Sequence, residues 1–469
     1  MMPAKFTNLE ALFYPHSVAI VGASKNPGKL GYHVMKSLIK GGFKGDLFPL
    51  NPRETELFGF RAYPSVLEVP QEVDVAVVAL PAQMVPDIFR QCVAKSVRGI
   101  VLITAGFKEI EDEYGWQLQD EITELANQAG IPVIGPNTFG MINLQAAFNA
   151  SFTPEFSDVE RGGISLVSQS GGMAHMIAFM AMEDHVGFNK IIGIGNRCNV
   201  DFAELLEYLV EDEGTKVIAM YVEGIENPRR LVEVAKKARG KKPIIVYKVG
   251  KSQISDKASK FHTGSLAGQY EIYHGAFKQA GILAVGSLEE LLDTAKALVS
   301  CPLPRGNKVA VLSGQAGPGM AACDVCEEKG LVLAAFSEET QRRIKKALPP
   351  LAIRTNPVDM GPAWYSPEAI REVANSALGD ENVDGVVLCI AYASANIGAV
   401  EGLSDVLKSW GAKKPILCCL SSPGEIWDSE IRSLEEAGVP NYPTPERAAR
   451  ALGNLLRYQK LATRGLRHE

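Results

Sequence analysis

Short apolar runs alternate with amphipathic helical segments along almost the whole chain. The runs "HSVAIVGAS", "VDVAVVALP" and "RGIVLITAG" have the length and composition of buried strands, and "YGWQLQDEITELANQAG" has helical spacing. Strands that alternate with helices of this length form βαβ units, and successive units build a doubly wound parallel sheet. The sequence therefore predicts an α/β fold.

Three such series divide the chain, whose 469 residues are too many for one hydrophobic core. The first is typical of a Rossmann-like domain and occupies residues 1–148. The second begins at "GGISLVSQSGG", and the third begins at "NKVAVLSGQAG" after the Pro-containing stretch "SCPLPRGNK". The second and third resemble each other, which predicts two related flavodoxin-like domains at 149–303 and 304–469.

Composition excludes several classes of protein. The formal net charge of -6 provides no basic surface for nucleic acid, and no apolar run has membrane-spanning length. The first twenty residues lack the continuous apolar stretch of a signal peptide. Eight cysteines in a chain this long are not a disulfide framework. We expect a cytoplasmic protein with neither nucleic acid nor membrane as its partner.

A glycine-containing turn follows the first predicted strand in "VAIVGASKNPGKLGYHVM". Gly22, Gly28 and Gly31 would let the backbone approach an anion at a helix N-terminus. The spacing is not G-x-G-x-x-G, and the second strand ends in Asn51, Pro52 and Arg53 where an NAD site would have an acid. This pattern favours a phosphorylated nucleotide other than NAD, and the alternative is a tight turn without a ligand.

Two further helix starts resemble phosphate cradles. "LVSQSGGMAHMIAF" places Ser168–Gly172 between a strand and a helix, and "LSGQAGPGMAACD" repeats the design over Ser313–Gly319. Free N–H groups and the positive end of the helix dipole would bind an anion there, whereas the alternative is an ordinary N-cap. Neither segment is a G-x-S-x-G nucleophile elbow, which argues against a serine hydrolase.

A histidine loop distinguishes the second domain from the third. "SDKASKFHTGSLAGQY" centres on His262 and follows "KKPIIVYKVG", whereas "KKPILCCLSS" in the third domain is followed by no histidine. We predict that His262 is catalytic. Glu223 ends a strand in "MYVEGIENP", where its carboxylate could hold an imidazole N–H and leave the other nitrogen nucleophilic. Glu226 is an alternative partner, and a surface role for Glu223 is the other interpretation.

The cysteines do not indicate a metal site. Cys323 and Cys326 form a C-x-x-C, but they lie within a predicted helix and no second pair is near. We interpret them as packed helix thiols, and Cys418 and Cys419 as core residues of a strand.

Together these motifs resemble one family: the alpha subunits of ADP-forming acyl-CoA synthetases, in the succinyl-CoA synthetase superfamily. The resemblance covers nearly the whole chain, and its segments are "VAIVGAS", "ITAGFKE", "GPNTFG", "SQSGG", "GIGN", "YVEGIE", "FHTGSLAG", "GQAGPG" and "NPVDM". Each is weak alone, but the set is specific.

The resemblance implies functions for the candidate residues. The first domain would bind CoA through Gly22, Ala23, Ser24, Asn51, Pro52, Pro81, Ala82, Gly106, Phe107 and Asn137. His262 would become phosphorylated, with Glu223 orienting its ring. The phosphoryl group would be stabilised by Ser168, Gln169, Ser170, Gly171, Gly172, Ser313, Gly314, Gln315, Gly317 and Gly319. The implied reaction converts acyl-CoA, ADP and phosphate reversibly into acid, CoA and ATP, through an acyl phosphate and phosphohistidine.

The same resemblance implies a partner. The chain has no G-x-x-x-x-G-K-[ST] motif and no region typical of an ATP-grasp fold. A separate ATP-grasp beta subunit would therefore bind ADP or ATP with Mg²⁺, in a hetero-oligomer. Alternatives are a non-catalytic CoA-binding or regulatory protein of this fold, and an NAD(P)-dependent oxidoreductase, which Asn51 disfavours.

The chain departs from the usual family pattern at several positions. These are Thr138, Cys198, Asn199, Lys260, Phe261, Gly314 and Ala316. At these positions the resemblance does not define substrate specificity or phosphate-site geometry, and the motifs do not identify the acyl group.

Overall fold

A computed structural model of the chain describes residues 9–110, 112–252, 254–255 and 270–463. They form two compact units, divided in the sequence between Gly286 and Ser287. The His262 loop, with Lys260 and Phe261, lies outside the described residues. Among the helices of the described ranges, none has the combination of length and apolar composition that crossing a membrane requires.

The first unit begins with a five-stranded parallel sheet of order β2-β1-β5-β6-β7, next to a small β3-β4 hairpin. Alternate residues of β1 belong to two different apolar clusters, so this strand is covered on both faces, as in doubly wound folds. Elements up to residue 134 are α1 (Glu10–Phe13), β1 (Ser17–Val21), α2 (Leu30–Gly41), β2 (Asp46–Leu50), β3 (Glu56–Leu57), β4 (Phe60–Arg61), β5 (Val75–Val78), α3 (Val85–Ala94), β6 (Gly99–Leu102), α4 (Glu113–Ala129) and β7 (Val133–Ile134).

A seven-stranded sheet completes the first unit, with the order β14-β13-β12-β10-β11-β8-β9. Strands β10 to β14 are parallel, whereas β8 pairs antiparallel with both β9 and β11. Its elements are β8 (Gly140–Asn143), β9 (Phe148–Ser151), β10 (Arg161–Ser168), α5 (Gly171–Glu183), β11 (Phe188–Gly193), α6 (Phe202–Glu211), β12 (Val217–Val222), α7 (Pro228–Ala238), β13 (Ile244–Lys248), α8 (Tyr270–Ala280) and β14 (Leu283–Val285).

The two sheets of the first unit share one apolar core. A single buried cluster contains Val18 and Val34 from the first sheet and its helix, and Val167 and Phe202 from the second. The β8-β9 hairpin belongs to the second sheet, although the predicted domain boundary at residue 148 would place β8 in the first domain. The hairpin adds antiparallel strands to an edge that βαβ units alone would leave unpaired.

The second unit is a further parallel α/β layer. Its sheet has the order β16-β15-β18-β19, with β17 also paired to β15, and separate apolar clusters contain alternate residues of β15 and β18. Its elements are α9 (Leu288–Ser300), β15 (Lys308–Ser313), α10 (Ala316–Glu328), β16 (Val332–Leu333), α11 (Glu338–Ala347), β17 (Val358–Asp359), α12 (Pro367–Gly379), β18 (Gly385–Ala391), α13 (Leu403–Gly411), β19 (Ile416–Ser421), α14 (Asp428–Glu436) and α15 (Pro445–Thr463).

Helix α9 lies in this second unit, although it precedes the predicted boundary at residue 303. Arg447 of α15 donates to both carboxylate oxygens of Asp293, at 2.6 and 2.9 Å. Asn454, also on α15, donates to Glu290 at 3.0 Å and to Thr294 at 2.9 Å. These buried polar contacts explain why α9 is associated with α15, and the domain limits given above stay a prediction.

Candidate active site

Two adjoining cavities lie in the first unit. Cavity A, of about 590 Å³, is lined by residues from turns and helices next to both sheets. Cavity B, of about 760 Å³, is lined by residues 21–105, which belong to the strands, turns and helices of the first sheet. Leu30 and Ala105 line both. Both cavities include residues that directly follow the parallel strands, where ligands of open α/β sheets bind.

Cavity B brings together most residues predicted to bind CoA. Two cationic side chains, Lys29 and Arg53, also line it. The predicted residues in its lining are Gly22, Ala23, Ser24, Asn51, Pro52 and Pro81.

The turns after β1 and β2 are held together by Asn51. Its amide nitrogen donates to the carbonyl of Ala23 at 2.9 Å, and its carbonyl oxygen accepts from the Arg53 amide at 2.9 Å. Because a neutral amide makes both bonds, this position of the sheet carries no acid that could hold the ribose hydroxyls of NAD.

Two of the three glycines of this turn, Gly22 and Gly31, serve close packing. A Cβ on Gly22, whose φ is +91°, would lie 2.6 Å from the Ala79 carbonyl oxygen, and a Cβ on Gly31 would lie 2.0 Å from the Gly22 oxygen. Gly28 differs, because a Cβ there would meet only the Asn26 side chain, at 3.3 Å. The absence of a side chain at Gly31 therefore allows α2 to approach the end of β1 closely, and the absence of one at Gly22 allows the same turn to approach the chain that follows β5.

The remaining predicted CoA residues lie outside the lining of cavity B. Ala82 and Phe107 are buried in the apolar core, and the Gly106 and Phe107 amides both donate to the Glu109 carboxylate. Asn137 lines cavity A instead, with a φ of +57°.

Helix α5 begins at cavity A. The Ser170 side chain caps it by accepting from the Met173 amide at 3.4 Å, and Gly171 and Gly172 form its first turn at the cavity lining. Ser168 is fully buried below this turn, where its hydroxyl donates to the Ser170 carbonyl at 2.7 Å. Cavity A thus contains a helix N-terminus without side chains beyond its cap, which suits an anion.

Gln169 connects this helix start to Glu223. Its side-chain oxygen accepts from the Glu223 and Gly224 amides, at 2.9 and 3.0 Å. Lys248 donates to the Glu223 carbonyl at 2.9 Å. Burial, followed by the charge of Glu223 and a hydrogen bond with it, raises the pKa of the Tyr221 hydroxyl. Glu223 is 8% exposed and lines cavity A, so its carboxylate faces the same space as the helix start.

The alternative carboxylate, Glu226, is placed differently. Its side chain is 60% exposed, does not line cavity A, and lies 3.8 Å from the guanidinium of Arg197. Between the two candidates, the geometry favours Glu223.

The second unit repeats the strand-to-helix turn without the carboxylate. The Ser313 hydroxyl donates to the Gln315 carbonyl at 2.6 Å, as Ser168 does to Ser170. Gln315 exchanges two hydrogen bonds with the Ala391 backbone, at 2.7 and 3.1 Å. Ser168 pairs with Tyr221, two residues before Glu223, and Ser313 pairs with Cys389, two residues before Ala391. By this pairing, Ala391 occupies the position in the second unit that Glu223 occupies in the first.

The other predicted phosphate residues of the second unit surround this turn. Gly314 precedes Gln315, and a Cβ on Gly319 would lie 3.1 Å from that of Ser313, whereas Gly317 has no neighbour within 4 Å. Gly319 therefore allows close packing of α10 on β15, and Gly317 does not serve packing.

Comparison with known proteins agrees with this architecture. Residues 16–143 match the model of a CoA binding domain, and residues 161–298 match that of a succinyl-CoA ligase like flavodoxin domain. The chain is 39% identical to the alpha subunit of acetate–CoA ligase [ADP-forming] II of Pyrococcus furiosus, over 96% of this chain and 98% of the relative. The chain belongs to the family of ADP-forming acyl-CoA synthetase alpha subunits. The predicted family and fold class are thereby confirmed.

Two further members of the family extend the comparison. The acetate–CoA ligase [ADP-forming] I of Archaeoglobus fulgidus is 40% identical over 97% of this chain, which spans 64% of that longer protein. The acetyl-coenzyme A synthetase 1 of Ca. Korarchaeum cryptofilum, solved in complex with phosphate and ADP, superposes with a TM-score of 0.90 at 34% identity. That superposition covers 98% of each chain.

Sequence reasoning missed His175, which lines cavity A in this member of the family. Its Nδ1 is 2.7 Å from the Gly171 carbonyl and its Nε2 is 2.7 Å from the Thr153 hydroxyl. Phe139 and Phe152, which also line cavity A, pack against its ring. The available signal was a histidine four residues after Gly171, one turn into the predicted helix, but the surrounding run is apolar and is typical of a core helix.

Thr138 also lines cavity A, at a position where the family usually has cysteine. Its hydroxyl donates to the Gly193 carbonyl at 2.6 Å and accepts from the Gly140 amide at 3.1 Å. The first contact ties the chain entering β8 to the end of β11, and the second holds the turn that leads into β8. The departure from the family pattern thus has a local structural role.

The cysteines of the second unit lie where the sequence predicts. Cys323 and Cys326 are in α10, and burial raises the pKa of Cys326 to about 12. Cys418 and Cys419 are buried in β19. Within the described ranges, no three His, Cys, Asp or Glu side chains are grouped so that they could hold a metal ion.

Proposed function

We propose that this chain is the alpha subunit of an ADP-forming acyl-CoA synthetase, which converts acyl-CoA, ADP and phosphate reversibly into the free acid, CoA and ATP. One observation carries the proposal. Cavity A combines the N-terminus of α5 with Glu223, and it adjoins cavity B. Cavity B lies within the residues that match the CoA binding domain.

Cavity B suits the nucleotide part of CoA. Lys29 and Arg53 provide positive charge for its phosphates, and α2, which has no side-chain N-cap, begins at its edge. The shared lining at Leu30 and Ala105 gives the thioester a route into cavity A. CoA therefore binds with its nucleotide in cavity B and its acyl end in cavity A.

The first chemical step takes place at the α5 helix start. A phosphate oxygen attacks the thioester carbonyl carbon, the C–S bond breaks, and CoA leaves as the thiol after taking a proton. The amides of Gly171 and Gly172 and the helix dipole stabilise the negative charge of the phosphate. The product is an acyl phosphate.

The second step transfers the phosphoryl group to His262. A ring nitrogen attacks phosphorus, the P–O bond to the acyl group breaks, and the free carboxylate leaves. Glu223 accepts a hydrogen bond from the N–H of the other ring nitrogen, and this tautomer leaves the attacking nitrogen unprotonated. Gln169 assists indirectly, because it fixes the backbone that carries Glu223.

Phosphohistidine then passes its phosphoryl group to ADP on a separate beta subunit with an ATP-grasp fold, which also holds Mg²⁺. The relatives named as alpha subunits support a two-chain enzyme. This transfer requires His262 to reach both cavity A and that nucleotide site.

Phosphoenzyme formation tests this proposal. The chain is incubated with its beta subunit, Mg²⁺ and labelled ATP, and we expect an acid-labile, base-stable label on the alpha chain. His262→Ala should lose the label but still bind CoA. His175→Gln is the matched control, because both nitrogens of His175 already have partners, and it should keep the label. A label that survives His262→Ala but disappears in His175→Gln would contradict the proposal, because it would show that His175 carries the phosphoryl group.

A further inference from the structure

The chain that bears Glu223 is buried but lies beyond the end of β12. The Val249 amide donates to the carbonyl of Val222, the last residue of β12, at 3.1 Å. Glu223, Gly224 and Ile225 follow this residue and are all buried, and we call them the Glu223 turn. Buried backbone N–H and C=O groups need hydrogen-bond partners. The partners of this turn therefore show what holds Glu223 in place.

The amides of the Glu223 turn donate to an amide oxygen and to a phenol. The Gln169 side-chain oxygen accepts from the Glu223 and Gly224 amides, at 2.9 and 3.0 Å. The Ile225 amide donates to the Tyr273 hydroxyl of α8 at 3.4 Å. Side chains from two distant parts of the chain thus satisfy these three amides.

The carbonyls of the same turn accept from cations. Lys248, at the end of β13, donates to the Glu223 carbonyl at 2.9 Å, and Nη1 of Arg197 donates to the Gly224 carbonyl. The exposed fractions of Lys248 and Arg197 are only 2% and 3%. A buried cation loses hydration that a neutral donor would not lose. The choice of charged donors at both carbonyls therefore needs an explanation beyond hydrogen bonding alone.

Arg197 makes its closest contact with this turn and not with a carboxylate. Its Nε lies 4.0 Å from Asp201 and its Nη2 lies 3.8 Å from Glu226, distances that are too long for hydrogen bonds. Its backbone has a φ of +61°, in the left-handed region that costs free energy for a residue other than glycine. A close ion pair does not explain this buried arginine, whereas its bond to the Gly224 carbonyl does.

We propose that Arg197 and Lys248 are positioning residues for the reaction, which hold the Glu223 turn so that its carboxylate keeps its place at cavity A; this inference rests on the proposed function. Each cation acts through a backbone carbonyl. Arg197 directly follows Gly195 and Asn196, which line cavity A, so its guanidinium connects that part of the lining to the carboxylate. A shift of about 1 Å in a catalytic group can lower a rate by about a hundredfold.

Hydrogen–deuterium exchange of the full chain tests the holding role without the beta subunit. In Arg197→Met and in Lys248→Met, one carbonyl of the turn loses its donor, so the turn should open more often. We expect the Glu223 and Gly224 amides to exchange about tenfold faster or more. Arg230→Met is the matched control, because Arg230 lies on α7 just after the turn and pairs with carboxylates of α6 at 3.2 and 2.9 Å. Exchange of the turn should be unchanged in that variant.

Phosphoenzyme formation with the beta subunit, Mg²⁺ and labelled ATP tests the consequence for the reaction. Arg197→Met and Lys248→Met should each lower the rate by about tenfold to a hundredfold, counted per chain that binds CoA in calorimetry. Arg197→Lys keeps a charged donor for the same carbonyl and should recover most of the rate. Combined with Glu223→Gln, Arg197→Met should lower the rate by less than about twofold beyond Glu223→Gln alone. A residue that acts only through Glu223 has nothing further to remove, whereas general destabilisation would add to the loss.

The outcomes separate this inference from the proposed function. Additive losses in the double variant, normal rates in both single variants, or unchanged exchange of the turn would overturn the positioning role while the proposed function stands. Loss of CoA binding in both single variants would also overturn it, because the two cations would then support the whole unit. A wild-type chain that takes up no label would overturn the proposed function, and this inference with it.

Discussion

The position of Glu223 depends on a neighbouring side chain that is not itself ionisable. Gln169 binds the two backbone amides of the Glu223–Gly224 turn, and the Glu223 carboxylate is left to face cavity A and the Tyr221 hydroxyl. This arrangement separates two tasks. One residue sets the backbone, and the other supplies the charge.

Glu223→Gln should therefore impair chemistry without impairing the fold. The backbone bonds to Gln169 remain, but a neutral amide no longer favours the tautomer that leaves the attacking nitrogen of His262 free. We expect phosphoenzyme formation to fall by roughly two orders of magnitude, the scale of losing a positioned acid–base partner. Rapid-quench measurement of the labelled alpha chain gives the rate.

The control is Glu226→Gln, three residues away and largely exposed. It should label at close to the normal rate. The reverse pattern, with a slow Glu226→Gln and a normal Glu223→Gln, would mean that the other carboxylate orients the histidine.

The residue types in the sequence predicted Glu223 but could not predict that Phe139, Phe152 and His175 together line cavity A. A carboxylate at the end of a buried strand already has a defined place in an open sheet. Phe139, Phe152 and His175 are spread over 37 positions, and each sits in an apolar context that is typical of core packing. Their proximity arises from the β8-β9 hairpin, which has no signal in the βαβ pattern.

At the level of elements, the contact between β1 and α2 positions cavity B. Gly31 allows the helix to begin directly beside the strand, Gly22 allows the turn to approach the chain after β5, and the Asn51 side chain bonds the turn after β2 to the turn after β1. The sequence predicted the strand, the turn and the helix. The reason for the glycines was not predictable, because close packing and ligand approach produce the same sequence signal.

Gly31→Ala should separate α2 from β1. The new Cβ would lie 2.0 Å from the Gly22 carbonyl oxygen, and backbone must move to admit it. We expect a loss of about 1–3 kcal/mol in the free energy of unfolding, together with weaker CoA binding. Urea unfolding and calorimetry measure the two effects.

Gly28→Ala provides the comparison within the same turn. Its Cβ would meet only the end of the Asn26 side chain, so stability should change by less than about 1 kcal/mol. Equal effects of the two substitutions would contradict the packing role of Gly31.

The N-cap of α6 gives the first unit a pH dependence. Burial raises the pKa of Asp201 to about 6, against the partial opposition of Arg197. Because the folded state binds this proton more tightly than the unfolded state, the carboxyl stabilises the fold at low pH, and this contribution is lost as the pH rises through about 6. Lowering the pH from 7.5 to 5 should gain about 1 kcal/mol from this group.

Asp201→Asn removes the titration but keeps a good N-cap. Free energies of unfolding of both proteins at pH 5 and 7.5 give the double difference, which should be about 1 kcal/mol in favour of the wild type at the lower pH. A double difference of zero would show that Asp201 titrates at its ordinary pKa.

At the scale of the molecule, the described ranges contain the cavity proposed for CoA and the helix start proposed for the phosphate, and the sequence carries no P-loop motif. The last step of the proposed reaction is nevertheless phosphoryl transfer to ADP. We expect the isolated chain to bind CoA, to show no heat of ADP binding, and to form no ATP from acyl-CoA, ADP and phosphate. Addition of the beta subunit should restore ATP synthesis, as measured by a coupled luminescence assay. ATP synthesis by the isolated chain would require a nucleotide site within it.

Each unit has a glutamine at its strand-to-helix turn, and the comparison between the two turns bears on what the catalysis requires. Gln169 and Gln315, which lie one residue after Ser168 and two residues after Ser313, both bond to the backbone at the end of a neighbouring strand. Only Gln169 bonds to a turn that bears a carboxylate, since Ala391 occupies the matching place in the second unit. A glutamine that bonds to the neighbouring strand is thus present both with and without the carboxylate, and it does not by itself indicate the proposed catalysis. The second unit therefore offers, within the same molecule, a comparable strand-to-helix turn that lacks the carboxylate proposed for catalysis.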